Sequence, residues 1–403
     1  MMRLFREEHR KLWKRASVKI SVLFCFTYII VFGGLLSYQW IQFGTSGDFT
    51  SSFGNRFDGY KSIRSRMDHA SQWEGELTDA KIQKMVKDYQ DLRVSDPDRA
   101  RDETDWRVLN SWIQTLWPEL EEPEKADIML SYVEPDKLTG FYERREQQIE
   151  KFLDLMGTSD DEKAFFLRMD GKVEIPFQYS WVEGWSNLLG NVLTDMGVVT
   201  GLFIGIALAL IFAGERQREM RFLILTAKYG GIETAAAKTA AGFAFSAELF
   251  GMMTVGTLLL QYVYLGTSGW DLPIQCIKLI ATAPWNMMQA EIYEYLFAFL
   301  GCLGYAGVVM LISVLCRSSF AAILSALAVI CVPGAVGEYL PAALQKIVNL
   351  IPLAGSSTDI FRTNVYHIFG RIIWSPWILI TVPFVAGAAC VPLCVRKWRK
   401  QSR

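Results

Sequence analysis

The sequence predicts an all-α polytopic membrane protein, with six transmembrane helices, an N-terminal interfacial helix and a mainly helical extracytoplasmic domain. Three observations predict it. The 403-residue chain is 51% hydrophobic and carries several uninterrupted apolar runs of the ~20 residues that cross a bilayer as helix. Lysines and arginines gather beside alternate ends of those runs, as the positive-inside rule requires. A long polar segment between the first two runs repeats its apolar residues at three and four, the helical period. The net charge of −1 disfavours a nucleic-acid partner, and three dispersed histidines (His9, His69, His367) offer no paired spacing for a metal.

Taken in order, residues 1–18 set Met1, Leu4, Phe5, Leu12 and Trp13 among arginines and lysines, an amphipathic stretch suited to the interface. The first span, 19–38, runs into Ser37-Tyr38-Gln39-Trp40 without a small-residue cleavage site, so it reads as an uncleaved anchor. The segment 39–191 follows, then spans at 193–213, 239–264, 295–316, 319–338 and 377–395, a charged loop at 214–238 and a tail at 396–403. Near the span ends, 18 Lys and Arg fall on one side and four (Lys278, Lys346, Arg362, Arg371) on the other. Both termini are therefore expected in the cytoplasm and 39–191 outside. Between spans, 341–376 is too long for a turn and too broken by Gly355 to Asp359 and Asn364 to cross, so re-entrant or interfacial helices are expected there.

The segment 39–191 carries 19 Lys and Arg against 30 Asp and Glu and no cysteine. It reads as an acidic, solvated domain without a disulfide framework, long enough to bury a core. Four amphipathic helices are expected: Thr78 to Arg93, a stripe from Trp106 to Leu120 interrupted by Pro118, Asp136 to Met156 stopping at Gly157, and one opening with the capping-box spacing Ser159 to Glu162. The alternation Val173, Ile175, Phe177, Tyr179, Trp181 suggests an extended return, with Trp181 and Trp185 as belt or core anchors.

The loop 214–238 carries the functional signal. It mixes Glu215, Arg216, Arg218, Glu219 and Arg221 with Phe222, Leu223, Ile224 and Leu225, which suits a short helix along the membrane with a charged side toward a partner. The run from Glu215 to Thr226, followed by Gly230-Gly231 and by Lys238 opening the next span, resembles the glutamate, glycine, apolar, threonine and lysine pattern of permease subunits of ABC-2 type exporters. Met220 stands where that pattern often has glycine. The resemblance implies a bacterial plasma-membrane permease whose loop is the coupling helix, with Glu215, Arg216, Arg218, Glu219, Arg221, Leu223, Thr226 and Lys228 facing an ATP-binding cassette ATPase. It also implies two copies of that ATPase and a second permease chain, identical or related, with membrane lipid around them. No Gly-x4-Gly-Lys-Ser/Thr occurs, so ATP and Mg would enter only through the partner, and no cofactor or catalytic residue is expected in this chain. The large insert looks more like permeases of peptide, antibiotic or ion efflux than like polysaccharide exporters.

Glu248 falls inside the 239–264 run, where a carboxylate is costly and reads either as a substrate-path group or as a structural one. Gly197, Gly201, Gly205 and Ala209 permit close helix packing. The competing reading is a peptide sensor or immunity protein that binds ligand through the insert without transport.

Overall fold

The computed structural model describes residues 1–31, 42–43, 49–50, 59–97, 99–100, 104–125, 127–189 and 193–400. Helix α1 (Met2–Lys14) turns sharply at Arg15, whose extended backbone starts α2 (Ala16–Tyr28). The described part of the first expected span is the apolar helix Ala16–Val31; residues 32–38 lie outside the described residues. Two short strands, β1 (Gln42–Phe43) and β2 (Phe49–Thr50), pair antiparallel.

The insert is a helical layer with two small β pairs among its described residues, β1–β2 and a second one. It holds α3 (Gly59–Ser71), α4 (Asp79–Ser95), α5 (Trp106–Leu116), α6 (Phe141–Leu155), α7 (Asp160–Asp170) and the short α8 (Glu183–Asn187). Local chemistry sets the helix ends. The Thr78 hydroxyl accepts from Lys81 N, and Ser159 and Glu162 form the full reciprocal capping box that their spacing foretells. Helix α6 starts at Phe141 rather than Asp136, because Pro135–Lys137 forms a 3-10 turn. Asp79 then receives both Gly140 N and Phe141 N. Only two residues of the expected return strand are extended in a sheet: β3 (Gly75–Glu76) pairs antiparallel with β4 (Gln178–Tyr179). Trp181 and Trp185 are buried, and Trp185 Nε1 donates to Ser268 O at 2.7 Å, so both are core anchors rather than belt residues.

Five described helices are long and apolar enough to cross a membrane: α9 (Leu193–Gln217), α11 (Ile232–Leu265), α12 (Met287–Leu315), α13 (Ser319–Val336) and α15 (Ser375–Lys400). Helices α11 and α12 begin seven or eight residues before the apolar runs at 239 and 295, because Glu233, Lys238, Glu291 and Glu294 are taken into them. Helix α12 lies at the centre. Built on Gly387 of α15, a Cβ would lie 2.1 Å from Gly304 O, and one on Gly307 would lie 2.2 Å from Gly387 O, so the two helices touch backbone to backbone. Against α9, the Tyr305 ring fills the notch at Gly205 and its hydroxyl donates to Ala326 O at 2.8 Å.

The segment 341–376 is not purely helical as expected. Beside a one-turn-plus α14 (Ala342–Val348) and a 3-10 turn at Ser357–Phe361, it makes a hairpin of β5 (Val365–Ile368) and β6 (Arg371–Trp374). Phe369 and Gly370 both take positive φ, 49° and 75°, as a two-residue hairpin loop of the primed type needs. His367 Nε2 pairs with Glu162 of the insert at 2.9 Å.

Beneath this hairpin, Asp359 is almost fully buried and accepts from Asn364 Nδ2 and from the Ser375 hydroxyl. Burial pushes its carboxyl up to about 6, against the opposing pull of Asn364, Arg362 and Lys346. The folded value exceeds the ordinary ~4. Its contribution to stability is therefore whole below about pH 4 and is lost as pH rises through about 6. The melting midpoint of the purified protein is expected to fall on going from about pH 5 to 8, and Asp359→Asn should remove about 3 kcal/mol of that dependence. An identical pH profile in the variant would refute the assignment.

Candidate coupling site

Helix α9 runs through Gly214 to Gln217 before the chain reverses. The reversal sits at Glu219, in the left-handed region at φ 59°, and starts α10 (Met220–Thr226). One contact braces the chain just before α10 and another packs against α10 itself. Arg216 donates from its guanidinium to the carbonyls of Val314, Leu315 and Cys316, closing the orphan end of α12. At the far side, Gly230 presses on α10 so closely that a Cβ there would lie 1.6 Å from Ile224 O. The Gly230 carbonyl accepts from Trp398 Nε1 of α15 at 3.1 Å.

Behind the loop lies a buried ion triad. Lys238 Nζ, 1% exposed, donates to Glu8 Oε2 and Glu215 Oε1, both at 2.6 Å. It joins α1, α9 and α11 at one point. Burial alone would raise the Glu8 carboxyl, but Lys238 and Lys11 outweigh it and hold Glu8 below the usual carboxylate range.

In front, α10 leaves apolar side chains uncovered. Phe222 is 63% and Leu223 68% exposed, flanked by exposed Met220 and Tyr229, while Ile224 and Leu225 turn inward. The eight loop residues expected from sequence thus divide. Glu215 and Arg216 build the support, Glu219 makes the reversal, and Thr226 bonds back to Phe222 O and Leu223 O. Leu223, Arg218 and Lys228 lie on the open side, Lys228 Nζ 5.3 Å from the Tyr229 ring centre. The Arg221 side chain lies outside the described residues. Sequence reasoning passed over Glu8, because its partner is 230 residues away. The basic elbow around a single buried-face glutamate, four residues before Leu12, was the available signal.

Glu248 is a paired carboxylate, and its partners come from α1 rather than from a lysine. Its side chain is 43% exposed and Oε2 meets His9 Nε2 and Trp13 Nε1, both at 2.9 Å, so α1 supplies its partners. Among the described residues, the buried carboxylates with unpartnered oxygens also include Glu291 and Glu294, three residues apart in the first turns of α12 and at most 3% exposed. Neither Glu291 oxygen has a hydrogen-bond partner, nor does Glu294 Oε1. Carboxylates so placed need a proton or a cation to offset burial. Among the described residues no cluster suits a bound metal ion.

Fold and site together define a multi-pass, predominantly helical membrane protein with a folded insert and, at one end of the bundle, a short helix with exposed apolar side chains. Comparison with protein families and with curated proteins finds no match for this chain.

Proposed function

We propose that the chain is the permease subunit of an ABC-2 type exporter in a bacterial plasma membrane, with both termini cytoplasmic, acting with a second permease chain and two copies of a separate ATP-binding cassette ATPase. The observation that supports this reading is α10, whose exposed Phe222 and Leu223 stand on a mount fixed by Arg216 and Gly230. An exposed aromatic and aliphatic pair on a rigid helix is the anchor a partner groove takes. ATP and Mg, bound by the ATPase, would supply the free energy; this chain transmits it. Force on α10 passes through Arg216 to the end of α12 and through Lys238 to α1 and α11. Rigid-body motion of those helices would then open a path for a peptide, lipid, drug or ion.

A second reading, ligand sensing without transport, is favoured by a cleft of about 580 Å³ between the insert at Lys172 to Gln178 and the loop at Asp271 to Gln289. One experiment separates the two. The tagged chain is extracted from its native membranes in mild detergent, and bound proteins and ATP hydrolysis are measured. Co-purification of a phosphate-loop ATPase is expected, and Phe222→Ala with Leu223→Ala should cut its recovery about tenfold or more. Recovery of the chain without any ATPase, from membranes that contain one, overturns the permease reading.

A further inference from the structure

A cavity of about 1000 Å³ opens between the α1–α2 corner, the end of α9 and the start of α13. Four cations line it: Lys11, Lys14, Arg15 and Arg218, against the single carboxylate of Glu215. That carboxylate is committed, since Glu215 Oε1 holds Lys238. Lys11 is shared with Glu8, whereas among the described residues Lys14 and Arg218 have no carboxylate partner. Arg15 is crowded: burial lowers its guanidinium from the ordinary value and the charge of Arg218 adds to that, while Glu215 and Glu8 pull the other way. The 13-residue α2 begins at this wall with no side-chain cap, and its first residues Ala16 and Ser17 line the cavity. An uncapped helix start presents free N–H groups and positive potential, the usual seat of a phosphate oxygen. Leu210, Met220 and Ile224 form an apolar margin on the same cavity. It lies where the apolar helix α9 ends and the apolar helix α13 begins.

We propose that this cavity binds the phosphate of an anionic phospholipid, with Lys14, Arg15 and Arg218 as its cations and the start of α2 as its amide donor. The lipid's acyl chains would run along the apolar margin. Because Met220 and Ile224 belong to α10, an occupied site would stiffen the mount of the candidate coupling helix. The proposal needs only a bilayer boundary at this end of the bundle and stands whether or not an ATPase binds.

The test uses the full chain in neutral maltoside detergent, with melting followed as dihexanoyl phosphatidylglycerol, dihexanoyl phosphatidylcholine or inorganic phosphate is added. Phosphatidylglycerol should raise the midpoint at concentrations where phosphatidylcholine does not. Lys14→Gln with Arg218→Gln should weaken that response about tenfold or more while leaving the unliganded midpoint unchanged. Lys14→Arg with Arg218→Lys, which keeps the charge, should retain it. Equal protection by inorganic phosphate would support the phosphate chemistry and name a free anion as its source. Equal protection by phosphatidylcholine, or a double-Gln variant that responds like the parent, overturns the proposal.

Discussion

Lys238→Met is expected to destabilise the protein by about 3–5 kcal/mol, the usual consequence of stripping a buried charge of its partner. The ammonium is 1% exposed and is the ion-pair partner of Glu8 and Glu215, whose side chains are 8% and 16% exposed. Its removal leaves two carboxylates facing each other out of water, which also drives α1 off the bundle. Adding Glu8→Gln and Glu215→Gln should restore most of the loss, since neutral amides carry no charge to bury. Thermal melts of the single and triple variants in detergent test this, with limited proteolysis reporting on α1. A single variant as stable as the parent would show that the triad contributes nothing.

Gly387→Ala should cost about 3 kcal/mol, the upper end for overpacking, because the new methyl would meet backbone and not a side chain that can rotate away. The Cβ would stand 2.1 Å from Gly304 O and 2.3 Å from Gly304 Cα. Helices α12 and α15 would have to separate along their crossing, losing the close approach that small residues give membrane helices. Gly334→Ala is the control: nothing lies within 4 Å of its Cβ position. There the helix should be neutral or slightly stabilised, as alanine loses less backbone entropy than glycine. Melting midpoints of the two variants decide it, and equal values would sink the backbone-contact argument.

Where local chemistry decides structure, the chain was readable. Ser159 and Glu162 announced α7 because a cap is a contact between residues three apart, and the three-and-four period of Ile82, Met85, Val86, Tyr89 and Leu92 announced α4. Span edges were less so. An apolar run stops at the first charge, whereas a helix stops when its hydrogen bonds do, and α12 carries Glu291 and Glu294 inside its first turns. The β5–β6 hairpin was hidden because its loop is Phe369-Gly370 rather than an asparagine- or aspartate-glycine pair. At the candidate site, Glu215 and Arg216 were evident as charged residues after a span, but their duties are tertiary. Arg216 reaches carbonyls about 100 residues on, and Lys238 reaches Glu8 across 230. Glu248 illustrates the same limit, since only the folded α1 shows that His9 and Trp13 meet it.

Arg145 of the insert donates from Nε to Leu279 O at 2.8 Å and from Nη2 to Ala281 O, while holding Asp170 of α7. Trp112 Nε1 reaches Cys276 O at 3.2 Å, and one continuous apolar core runs from Leu77 through Trp112 to Ala290, Tyr293 and Phe297 of α12. The insert is thus no tethered appendage with freedoms of its own. Any tilt or axial slide at the start of α12 displaces it as a single body, and a load placed on the insert is felt at the first turns of that helix. A ligand gripping its outer surface would therefore act on Glu291 and Glu294 through a stiff arm, without entering the bundle.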